Sequence, residues 1–159
     1  MSQTSETPDF VGEHDIDETT LDIIESTLSN TRYEMDRVVE TTAISPIIRE
    51  QSDQFPLIAD SQGRMVMGQF GSAIETIIGN SPYEWDNLED GDVIATNDPY
   101  MCEGAVSHLP DMLLLRPIFH RGDLVGFSSQ WGHLSDVGGK TLSTSIGIEP
   151  GVLPPTSER

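Results

Sequence analysis

Four histidines occur in the chain, His14, His108, His120 and His133, and two of them stand near carboxylates at the ends of apolar runs. His108-Leu-Pro-Asp111 precedes an apolar run over 112–119, and Trp131-Gly-His133 closes a second run over 124–131. The runs flank His120-Arg-Gly-Asp123, so together they predict an antiparallel hairpin. A hairpin returns the chain to where it began, which makes the residues before 112 and after 131 neighbours. His108, Asp111 and His133 are therefore expected at one end of one hairpin. Two imidazoles and a carboxylate form a facial set that holds manganese, iron or zinc while leaving coordination positions open. The alternative is that these are ordinary loop residues, since two histidines and an aspartate also fall together by chance. Pro110 argues against a helical His-x-x-Asp, so a stiff loop would have to turn both side chains inward.

Other polar residues add to the inventory. Asp136, three places beyond His133, is placed to orient a ligand histidine. Asp98, in a turn after a strand, is a second acidic candidate at the same end. Gly138-Gly139 would let backbone approach a bound ligand closely. His14 lies in a polar tail and His120 at a turn facing solvent. Cys102 would serve as ligand or nucleophile only beside a base, and otherwise reads as a small buried apolar residue. No Gly-x-Ser-x-Gly elbow, Walker A loop or Gly-x-Gly-x-x-Gly after a strand is present, so a nucleotide would have to bind on another chain.

The elements that must position these residues are legible in part. Leu21, Ile24, Leu28, Thr31, Met35, Val38 and Thr42 recur at steps of three and four, the stripe of an amphipathic helix expected to pack on a core. Thr19 is the expected N-cap, and Ser45-Pro46 sets the end near Ala43. Runs over 55–60 and 64–67 around Gly63 predict a hairpin, and 70–79 a short helix stopped by Gly79 and Asn80. A short strand over 93–96 runs into the Asn97-Asp98-Pro99 turn, and no strong element is expected after His133. The run over 112–119 is apolar on both faces and so reads as central, with Pro117 a reservation because it lacks a ladder donor. A leading helix followed by hairpins, without β-α-β alternation, gives an α+β class.

The whole composition sets bounds. The chain has 159 residues, 27 acidic against 8 basic, and a formal net charge of −19. That charge excludes phosphate neutralisation, hence nucleic acid, and opposes an anionic membrane surface. A solubilising surface explains the charge most simply, and a salt-rich host is the alternative, since Lys140 is the only lysine. A single cysteine excludes an internal disulfide. No apolar run is long enough for a membrane span, and the N-terminus does not read as a signal peptide, so a cytoplasmic location is expected. Residues 1–16 read as a disordered acidic tail and 156–159 as a second tail.

Five blocks in order resemble the hydantoinase B/5-oxoprolinase family, which includes the metal-bearing subunits of acetone and acetophenone carboxylase. They are Thr42-Ala-Ile-Ser-Pro-Ile-Ile-Arg-Glu50, Asp60-Ser-Gln-Gly-Arg64, Gly91-Asp-Val-Ile-Ala-Thr-Asn-Asp-Pro-Tyr100, Ser107-His-Leu-Pro-Asp111 and Gly132-His-Leu-Ser-Asp-Val-Gly-Gly139. The resemblance covers residues 17–155 and implies the N-terminal portion of a hydantoinase B-like domain within a larger multi-chain fold. It implies that His108, Asp111 and His133 bind a divalent metal, manganese first, with iron or zinc as alternatives. It further implies a hetero-oligomer with an ATP-binding hydantoinase A-like subunit and a ketone or cyclic amide as substrate. The stretch Tyr100-Met-Cys-Glu-Gly-Ala-Val-Ser-His108 looks nearer the ketone carboxylases, so enolate carboxylation is the first expectation. Cyclic amide hydrolysis and a non-catalytic assembly role are the alternatives. A self-contained acidic module unrelated to the family is a further, weaker reading. Asp136 or Asp98 would move a proton in such chemistry. Family subunits run to several hundred residues, so this length implies a naturally split or truncated subunit.

Overall fold

The computed structural model describes residues 16–81, 84–107 and 109–137, and the backbone of a strand at 157–158. Elements follow in the order α1 (Glu18–Thr42), α2 (Pro46–Gln51), β1 (Gln54–Asp60), β2 (Met65–Met67), α3 (Ile74–Asn80), β3 (Ile94–Thr96), β4 (Asp111–His120), β5 (Asp123–His133) and β6 (Ser157–Glu158), with a 3-10 turn at Trp85–Asn87. The strands form one antiparallel sheet in the order β2-β1-β5-β4-β3-β6. The α+β expectation holds, with a long N-terminal helix leading into hairpins.

The β4–β5 hairpin is the spine of the sheet. Its two-residue loop, Arg121-Gly122, has φ of +55° and +94°, the left-handed pair that matches strand twist. His120 is exposed there, as expected. β4 is central, between β5 and β3, and Pro117 is tolerated for a local reason. β3 pairs only with Leu113 to Leu115, so at Pro117 that edge of β4 asks for no donor. Gly126 on β5 is a position without room for a side chain, since a Cβ there would lie 2.5 Å from the Ala59 carbonyl oxygen of β1.

One sheet face carries the core. Directly opposed residues share a face, so Leu57 and Ala59 of β1, Phe127 of β5, Leu113 and Leu115 of β4, and Ile94 of β3 all point the same way. Ile74, Ile77 and Ile78 of α3 cover them, with Leu88, Cys102 and Val106 from the loops. Trp85 meets Phe127 edge-on at 5.5 Å. On the other face α2 sits against β5, and Gly132 makes room, because a Cβ there would lie 2.8 Å from Ile48 Cδ1.

Three expectations change, and two further elements, α2 and β6, are added. Asp17, not Thr19, caps α1, its carboxylate accepting from the Thr20 amide at 3.0 Å. The apolar stripe of α1 does not reach the core: no residue of the helix is buried, and Leu21 and Val38 are 54 % and 59 % exposed. α1 instead meets the sheet edge through polar contacts, Gln54 Nε2 donating to Asp36 Oδ1 at 2.7 Å and Ser52 Oγ to Glu40 Oε1 at 2.9 Å. α1 ends near Ala43 as expected, and Pro46 starts a second helix, since proline at the first position of α2 gives up only an amide that has no helical partner. Finally, Gly79 lies inside α3, which runs on to Asn80. Ser157–Glu158 adds a short sixth strand beside β3 where the sequence signals no element.

Cys102 is 2 % exposed, and burial, aided by the negative charge of Asp98, pushes its thiol up to about 11. The small apolar reading is the one its surroundings support. At pH 8 the thiol is expected to resist alkylation in the native protein and to react fully in denaturant, a difference read by mass spectrometry.

Candidate metal centre

The hairpin begins one residue before its first apolar run and ends two residues after its second, and this builds the site. Asp111 opens β4 and His133 closes β5, and the two are directly paired across the ladder. Their side chains share a face and meet, His133 Nδ1 lying 2.9 Å from Asp111 Oδ1. Both are shielded, with side-chain exposures of 8 % for Asp111 and 15 % for His133. The backbone at His133 is held from two sides. Its amide donates to Asp53 O at 3.0 Å, and its carbonyl accepts from Ser45 Oγ at 2.9 Å.

Register places one more carboxylate, Asp53, in the same row. β1 pairs Gln54 with Gly132, so Asp53 falls opposite His133, and its Oδ2 lies 3.8 Å from His133 Nδ1. β3 ends at Thr96, opposite Leu113, and Asp98 lies in the turn beyond it. The Asp98 carboxylate is engaged locally, accepting from the amides of Tyr100 at 2.8 Å and Met101 at 3.3 Å. Beside it, buried Asn97 donates to Leu109 O at 3.0 Å and ties this turn to the segment entering β4. Asp136 is exposed, three residues beyond β5. His108, His14 and Gly138-Gly139 lie outside the described residues. Among the described residues no group of three metal-ligating side chains occurs, so the structure brings Asp111 and His133 together and does not address the third expected ligand.

Asp53 is the residue that sequence reasoning missed. Its only local signal is its place before a strand. The pairing that matters joins β1 to β5, far along the chain.

The donor atoms present suit a divalent ion. A carboxylate oxygen and an imidazole nitrogen 2.9 Å apart have about the spacing of adjacent ligands that each lie about 2.1 Å from one ion. Asp53 Oδ2 lies 3.8 Å from that same ring nitrogen, too far for a direct hydrogen bond but placed to hold a ligand water.

The model of the hydantoinase B/oxoprolinase family matches residues 17–154. The chain belongs to that family. It is 32 % identical to 5-oxoprolinase 1 of Arabidopsis thaliana over 152 residues, covering 89 % of this chain and 11 % of the relative. It is 31 % identical to the caprolactamase subunit beta of Pseudomonas jessenii over 131 residues, covering 78 % of this chain and 22 % of the subunit. The crystal structure of that ATP-dependent caprolactamase superposes with a TM-score of 0.69 at 25 % identity, over 91 % of this chain and 26 % of the matched one. Nucleotide-free acetone carboxylase superposes with a TM-score of 0.59 at 22 % identity over 72 % of this chain and 16 % of the matched one, a likeness of fold alone. The chain thus spans about a quarter or less of the proteins it matches. The named members are enzymes. Among the described residues no helix of this family member is long and apolar enough to cross a membrane.

Proposed function

We propose that this chain supplies the metal-ligand portion of a hydantoinase B-type subunit in an ATP-dependent complex that acts on a cyclic amide or ketone carbonyl. The observation that carries this reading is the Asp111–His133 contact at the shielded end of β4 and β5, where hairpin geometry and the family resemblance converge. His108 would complete the ligand set, and manganese, iron or zinc suits it. A bound divalent ion would polarise a carbonyl oxygen or activate water. This chain's own part is to hold the donors rigid. Asp111 and His133 are fixed by the ladder, and Asp53 stands beside the imidazole. Asp98 and Asp136 are the candidates to carry a proton once substrate is bound.

Of the two branches, the cyclic amide branch has the better support, because the oxoprolinase and caprolactamase relatives are similar in sequence as well as in fold. Ketone carboxylation rests on the segment 100–108 and on fold likeness to acetone carboxylase. Nucleotide would bind on a companion chain of hydantoinase A type, since this one has no phosphate-binding loop. The test is ADP release by the chain purified with its companions. Release stimulated by a lactam or hydantoin supports the amide branch. Release that needs a ketone and bicarbonate together selects the carboxylase branch. A metal-replete assembly with no substrate-dependent ADP release under either condition identifies an assembly role.

A further inference from the structure

A cleft of about 340 Å³ opens on the same sheet face as the Asp111–His133 pair, one side-chain row along. Leu113 and Trp131 are the next inward-facing pair of β4 and β5 after Asp111 and His133, so about 7 Å of strand separates the two rows. Phe55 of β1 stands beside Trp131 with ring centroids 4.7 Å apart. Phe70 closes the aromatic wall, edge-on to Phe55 at 4.6 Å. Phe70 does not serve the core, being 79 % exposed, and its φ of +64° is a conformation that side chains with a Cβ rarely adopt. The loop therefore holds an aromatic ring over the cleft at the expense of solvation and backbone geometry, a combination that marks binding sites. The polar groups at the wall, Gln69, Ser72 and Ser129, are all neutral, and none of the lining residues is charged.

We infer that this cleft receives an uncharged, ring-sized apolar molecule, stacked against Phe55, Phe70 and Trp131, with its polar end toward Asp111 and His133. Its volume is at the small end of the ~300–1,000 Å³ range of ligand pockets. Its chemistry fits a neutral lactam or cyclic ketone. A cyclic amide that carries a carboxylate would enter without a counter-ion, in a protein whose net charge is −19. The inference rests on the reading of the metal centre for its catalytic meaning, while occupancy of the cleft is a separate property.

The experiment titrates the full chain, in the assembly it purifies in and without divalent metal, with three probes: ε-caprolactam, cyclohexanone and 5-oxoproline. Binding is read by calorimetry and by Trp131 emission in a Trp85→Phe background. The two neutral rings are expected to saturate the signal, with 5-oxoproline at least about tenfold weaker. Phe70→Ser is expected to weaken the neutral rings about tenfold and to leave the thermal midpoint unchanged, because the ring is exposed. Gln69→Arg is expected to raise affinity for 5-oxoproline by supplying a cation at the rim. No binding of either neutral ring, equal binding of all three probes, or unchanged affinity in folded Phe70→Ser overturns the inference. Because the titration is done without metal, its failure leaves metal uptake by Asp111 and His133 as a separate question.

Discussion

His133→Ala is expected to remove bound metal and substrate-dependent turnover together, while the sheet remains folded. The expectation follows from which atoms of His133 do which work. Its amide and carbonyl tie β5 to Asp53 and Ser45, and alanine retains both bonds. Its imidazole meets the carboxylates of the candidate site, at 2.9 Å to Asp111 and 3.8 Å to Asp53. Loss of a partner outside the ligand set already costs about 10–100-fold in metal affinity, and a ligand itself costs at least as much. Asp111→Asn preserves volume and one oxygen but removes the charge, so it should rank with His133→Ala. Asp53→Asn, farther away and partly exposed, should fall in the smaller range. Metal content by plasma emission spectrometry, with circular dichroism as the folding control, decides this. Full metal occupancy in both His133→Ala and Asp111→Asn would rule the site out.

The pair was legible in the sequence because it depends on a single local fact, a hairpin. The apolar runs, the Arg121-Gly122 turn and antiparallel geometry suffice to bring Asp111 against His133, and register then aligns them directly. Features that depend on contacts between distant elements were not legible in the same way. Asp53 reaches His133 only because β1 pairs with β5, and two strands far apart in sequence carry no local sign of their partnership. Phe70 reads as the start of a short helix from its neighbours, yet the helix begins at Ile74 and Phe70 closes an aromatic wall with Phe55 and Trp131. The stripe of α1 shows the converse. Its periodicity correctly gives a helix, because the pattern and the caps are local. Burial needs a second surface, and among the described residues none covers the stripe, the hydrogen bonds of Asp36 and Glu40 tying the helix to Gln54 and Ser52.

Phe127→Ala is expected to cost about 3–5 kcal/mol, the largest stability loss of any single truncation here. Phe127 is fully buried, central on β5, and lies under α3 with Trp85 edge-on to its ring. Collapse around the void is hindered by the packing above it. α3, which covers it, is held by three buried isoleucines. A loss of that size is a large share of the ~5–15 kcal/mol that keeps a typical domain folded. The thermal midpoint should therefore fall by many degrees. The consequence for the site is indirect and distinguishable from ligand loss. β5 carries Phe127, Ser129, Trp131 and His133 on one face, so loosening its core end frees the strand that fixes the imidazole and one wall of the cleft. Metal affinity should then decline with temperature well before that of the parent protein, yet be nearly normal in the cold, whereas His133→Ala lacks metal at every temperature. Metal occupancy measured across a temperature series separates the two. Equal loss at all temperatures in Phe127→Ala would show that this ring acts on the site directly, and the separation of core from metal centre along β5 would have to be abandoned.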